Sequence, residues 1–138
     1  FKLKITLAQA EGIISFAKSK IAELDLKMSV TVTDDRGDLI AMIRCDGASW
    51  RTPTISRGKA VAAACFGLST KELESKAGSP IFQAFTVSEN GMFIMGQGAL
   101  PVYQDGELIG AVGASGGTPV EDEEVVAYGI LQAGLSYK

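Results

Sequence analysis

The sequence contains no histidine. The commonest general base and the commonest metal ligand are therefore missing. Cysteine is nearly as scarce. Cys45 and Cys65 lie far apart with no C-x-x-C spacing, so the zinc and redox patterns fail. We read both as buried, reduced thiols, which points to a reducing, cytoplasmic compartment. The chain starts at Phe1 rather than Met, so a trimmed secretion signal or a preceding domain stays open. No run of about 20 apolar residues occurs, so no membrane helix is expected. Basic residues are too few for nucleic acid: 13 against 16 acidic ones, a net charge of −3. Neither G-x-G-x-x-G nor G-x-x-x-x-G-K-[ST] is present. Ser15 to Lys18 and Ser56 to Lys59 fit S-x-x-K, but the companion S-D-N and K-T-G motifs are lacking, and both matches look accidental.

What remains is a globular composition. With 138 residues, 46% hydrophobic and 21% charged, the chain is expected to form one domain over 1–138. A domain of this size buries about two-thirds of its unfolded surface.

Thr6 with Gln9 forms a capping box. Leu7, Ala10, Ile14, Ala17, Ile21 and Leu24 then follow at helical spacing, widened by Ile13 and Phe16. Met28, Val30 and Val32 alternate with Ser29, Thr31 and Thr33, which predicts a strand with one buried and one polar face. After the turn at 34–38, residues 39–45 carry apolar side chains on both faces, which predicts a strand inside the sheet. Pro53 opens a helix over 54–66 that is rich in alanine, and Gly67 ends it. Ser69 with Glu72 caps a short helix, and 81–87 is read as another.

The central stretch is 91–124. It reads as three strands, 92–95, 100–104 and 108–114, with Asp105-Gly106 as a hairpin turn. Ser115-Gly116-Gly117-Thr118-Pro119 then leads into a closing helix that reaches about Ser136. Thr118 is its N-cap and Pro119 its first residue. Val126, Ile130, Ala133 and Tyr137 form its apolar line. Gly129 and Gly134 weaken it by about 1 kcal/mol each, which makes sense if it packs closely on the glycine-rich third strand. The corner at 113–117 is expected to bare backbone N–H groups beside a helix N-terminus. It also fits G-x-S-x-G, the nucleophile elbow. Without histidine, Ser115 could only use a lysine such as Lys59 as base. Five strands with short connections imply an antiparallel sheet covered by helices, an α+β fold.

Several segments together resemble the GlcG/HbpS-like haem-binding family, which includes the C-terminal domain of PduO-type corrinoid adenosyltransferases. They are Ile55 to Ala60, Gly96 to Val102, the Asp105-Gly106 turn, and Ile109 to Gly117 with Asp122. The resemblance implies a profilin-like α/β/α sandwich with a five-stranded antiparallel sheet. It implies a homodimer or higher oligomer, and haem or a related tetrapyrrole as ligand in some members. Histidine-ligated haem has no counterpart here. The axial candidates left are Met28, Met42, Met92, Met95, Tyr103, Tyr128, Tyr137, Cys45 and Cys65.

The expected contacts to a small-molecule ligand are Arg44, Arg57 and Lys59, whose cations suit carboxylates, together with Gly98, Ser115, Gly116, Gly117 and Thr118 around the corner. The competing reading pairs Arg44 with Asp46 and leaves Arg57 and Lys59 solvated. The acidic turn Glu121 to Glu124 is read as complementing the helix dipole rather than holding a metal. Three functions follow: a binding module for haem or a similar planar cofactor, an enzyme using Ser115 with Lys59, or an accessory subunit that binds no small molecule.

Overall fold

Gly113 explains the architecture. It lies in the strand Glu107–Ser115, and a Cβ there would stand 2.2 Å from the backbone oxygen of Ser56, so the alanine-rich helix rests directly on the sheet. The computed structural model describes residues 2–138. The elements in order are α1 (Leu7–Glu23), β1 (Ser29–Asp34), β2 (Leu39–Arg44), α2 (Thr52–Phe66), α3 (Thr70–Leu73), a 3₁₀ turn (Glu74–Lys76), α4 (Pro80–Ser88), β3 (Ala99–Gln104), β4 (Glu107–Ser115) and α5 (Pro119–Gln132). The strands form one antiparallel sheet in the order β2-β1-β4-β3.

The two faces of the sheet differ in side-chain size, and this fixes the layers. Val30, Val32, Val102 and Val112 join Ile13, Ile14, Val126 and Ile130 in the main core, so α1 and α5 cover this face. Gly129 lets those helices meet closely, since a Cβ there would lie 2.8 Å from the Ile13 oxygen. The other face is small. Ala99 and Ala111 pack on Ala63 and Ala64 of α2. The hydroxyls of β1 also meet this helix: Ser29 Oγ lies 2.8 Å from Thr52 Oγ1, and Thr31 Oγ1 lies 2.7 Å from Ser56 Oγ. The three layers are thus α1 and α5, the sheet, and α2.

The caps are where the sequence places them. Thr6 with Gln9 and Thr118 with Glu121 both form complete capping boxes, and Gly67 closes α2 at φ +63°. The Asp105-Gly106 turn has both residues at positive φ, as a tight hairpin requires.

Several expectations are corrected. The sheet has four strands, not five, because 92–95 forms no ladder among the described residues. That segment is drawn to the helices instead: Ile94 N–H donates to the Gly58 oxygen, and Phe93 is buried against Ala62 and Leu73. Beyond β3 lies the C-terminal tail, where Tyr103 and Ser136 exchange backbone hydrogen bonds. β2 is an edge strand of half-buried residues, not an interior one. The Ser/Thr face of β1 is buried, not polar surface. Leu7 is exposed although it falls on the apolar stripe of α1. α5 ends at Gln132, and Gly134 turns the chain at φ +80° with open space around it. Gly129 packs on α1, not on the third strand. The cysteines are free, yet Cys45 is only half-buried and Cys65 is exposed.

Candidate functional site

Asp122 is the hub of the glycine corner. It shares the buried face of α5 with Val125, Val126 and Gly129 and is 3% exposed. A carboxylate in that position needs partners. Lys59 of α2 supplies one: its Nζ donates to Asp122 Oδ2 at 3.0 Å and to the Ala114 oxygen at 3.1 Å. The Gly117 N–H donates to Asp122 Oδ1 at 2.8 Å. Gly98, at φ +138°, makes room for the pair, since a Cβ there would fall 2.7 Å from Lys59 Nζ. Lys59, Gly98, Gly117 and Asp122 therefore converge, and one ion pair ties α2 to α5 past the end of the sheet.

Burial raises the Asp122 carboxyl above the ordinary carboxylate range, against the pull of Lys59 and the Gly117 N–H. A raised carboxyl opposes folding at neutral pH, and the opposition is relieved as pH falls through its folded pKa. Asp35 is lowered by its hydrogen bond from Lys2, so its contribution is present above its ordinary value and lost as pH falls. Carboxyl NMR should therefore find Asp122 titrating at higher pH than Asp35. The reverse order would contradict the burial argument.

On its helix side the corner does not bare its donors as the sequence suggests. Gly117 N–H is taken by Asp122, Thr118 N–H by Glu121 Oε1 at 2.9 Å, and Glu121 N–H by Thr118 Oγ1 at 3.2 Å. The first turn of α5 caps itself, so Thr118 acts as a helix cap. Among the described residues no three histidine, cysteine, aspartate or glutamate side chains group together as metal ligands would.

The open face of the corner lies on the other side, toward the start of α2. A recess of about 440 Å³ is lined by Ser115, Gly116 and Gly117, by Gly47 and Ser49 from the loop after β2, and by Thr52 and Ile55 of α2. Lys27 and Arg51 supply its two cations, and no acidic residue lines it. Strand pairing creates the junction: Ser29 sits opposite Ser115, which brings Lys27 to the corner. Two glycines let the chains close in. Gly47, at φ +84°, has the Lys27 stem across it, and a Cβ on Gly116 would lie 2.3 Å from the Lys27 oxygen. Ser115 is 7% exposed, and its hydroxyl makes no hydrogen bond among the described residues. Arg51 stands over the ring of Trp50, 5.6 Å from its centroid, and Trp50 is 74% exposed.

The remaining expected contacts fall elsewhere. Arg44 binds neither Asp46 nor the recess; its Nε and Nη2 donate to the Ala48 oxygen at 3.1 and 2.9 Å. That bond holds the loop that carries Ser49 and Trp50. Arg57 is half-buried, its Nε has no partner, and it does not line the recess. Lys59 does not line the recess but is held in its ion pair, and no hydrogen bond joins it to Ser115 among the described residues. The sequence reading named neither Lys27 nor Arg51 as a contact, and both line the recess.

A family model for HbpS-like haem-degrading proteins matches residues 5–131. The chain belongs to the HbpS-like family. Within it, the chain is 34% identical over 125 residues to a 15.0 kDa protein of the dhaT–dhaS intergenic region of Citrobacter freundii, covering 89% of this chain and 87% of that one. It is 33% identical over 116 residues to protein GlcG of Escherichia coli K12, covering 83% and 84%. The crystal structure of Klebsiella pneumoniae protein ORFY superposes with a TM-score of 0.87 at 27% identity, covering 97% and 94%. The PduOC:heme complex also reaches 0.87, at 20% identity over 98% and 99%, which shows a shared fold.

Proposed function

We propose that this chain is a binding module for haem or a related tetrapyrrole. The observation that carries the reading is a recess with two cations and no acid, at the glycine corner of an HbpS-like fold. Arg51 and Lys27 suit the two carboxylate arms, since charge-assisted bonds to carboxylates are the strong ones. The exposed face of Trp50 offers a flat apolar surface beside them.

The fit to the iron is different. No sulfur, phenol or imidazole lines this recess. Met28 is fully buried in the core, and Tyr103 donates its hydroxyl to the Gly67 oxygen. The residues at the corner fit the organic periphery of the ligand and not the metal. Lys59, the base expected for Ser115, is committed to Asp122, which favours binding over catalysis by that pair. Titration with hemin tests the reading. We expect a saturable Soret change and quenching of Trp50 emission, with half-saturation on the order of 10 µM, about −7 kcal/mol. No saturation in that range would remove it.

The same reading includes self-association. α4 has no fully buried residue, and Ile81 and Val87 are 72% and 76% exposed beside the half-exposed Phe66. An apolar helix face of this kind is suited to a second copy of the chain. Light scattering should give a multiple of the chain mass, and Ile81→Lys with Val87→Lys should lower it. An unchanged mass would place the contact elsewhere. Two thiols that form no disulfide are compatible with a reducing, cytoplasmic setting.

A further inference from the structure

We infer that recognition at the corner recess is blind to the metal, so that the ligand class is a planar dicarboxylate tetrapyrrole with or without iron. This rests on the proposed binding function and deepens it. Three observations on this chain carry it. Lys27 and Arg51 are the charged groups of the recess, and no acid opposes them. The Ser115 hydroxyl, 7% exposed and without a protein partner, lines the same recess as a third polar contact. No imidazole, sulfur or phenol lines the recess, and the ring of Trp50, 74% exposed, lies 5.6 Å from the guanidinium of Arg51. Binding energy must then come from the carboxylates and the ring face, which the metal-free ring shares with haem.

The test compares hemin with protoporphyrin IX, using quenching of Trp50 as the common readout. Both should bind with dissociation constants within about threefold of each other. Lys27→Ala with Arg51→Ala should weaken both by tenfold or more, since two charge-assisted contacts are lost. Both residues are exposed, so the thermal midpoint of the double variant should stay close to that of the parent. If hemin binds and protoporphyrin IX does not, the metal is the anchor; this inference is overturned and the proposed function stands. If both bind and the double variant is unaffected, the recess is not the site and the inference is again overturned. If neither binds, the proposed function falls with it.

Discussion

Replacing Lys59 with methionine should destabilise the fold by about 3–5 kcal/mol, the loss typical of stranding one member of a buried ion pair. The side chains of Lys59 and Asp122 are 9% and 4% exposed, so water cannot solvate the carboxylate that is left. The Ala114 oxygen would also lose its lysine donor. Lys59→Met combined with Asp122→Asn should recover most of the loss, because asparagine is neutral and its oxygen still accepts from Gly117. A double-mutant cycle by denaturant unfolding separates the pair from the individual changes. The pair would not be holding α2 to α5 if the single variant lost less than about 1 kcal/mol, the value of an exposed bridge.

Gly113→Ala should be comparably damaging, at about 3 kcal/mol, the upper range of overpacking. The added Cβ would meet the Ser56 oxygen at 2.2 Å and the Ala60 nitrogen at 2.9 Å. Both are backbone atoms, so no rotamer change relieves the contact. α2 would have to lift away, stretching the Ser29–Thr52 and Thr31–Ser56 hydroxyl pairs. Since Thr52 and Ile55 line the recess, ligand affinity should fall as well. Gly12→Ala is the control. It lies inside α1 with nothing within 4 Å and should stabilise by about 0.5–1 kcal/mol. Equal thermal midpoints for the two alanine variants would deny the close approach of helix and sheet.

The elements that the sequence made legible are those with local chemistry. Thr6, Thr118, Gly67 and the Asp105-Gly106 turn act through neighbours a few residues away, and their patterns survive folding. What failed was non-local. Alternation in β1 cannot tell water from a hydroxyl on a covering helix, so Ser29 and Thr31 read as surface while meeting Thr52 and Ser56. The apolar run at 92–95 has the composition of a strand, yet Phe93 is claimed by Ala62 and Leu73. The resemblance to the family gave the three layers but one strand too many.

The site divides the same way. Asp122 was read with the acidic turn as complementing the helix dipole, although its spacing to Val125, Val126 and Gly129 puts it on the buried helix face. Its partner could not be found by spacing, since Lys59 meets it only once the sheet has brought α2 and α5 to the same end. Lys27 and Arg51 reach Ser115 through the pairing of Ser29 with Ser115 and the loop after β2, which no sequence pattern announces.

The account rests on where a tetrapyrrole sits, and a crystal structure of the hemin-treated protein addresses that directly. It should show both carboxylate arms within hydrogen-bond distance of Arg51 and Lys27, with the ring lying along Trp50. A ring seated instead in the recess between Leu100 and Tyr137, with its iron on the tyrosine oxygen and its carboxylates away from the corner, would contradict it.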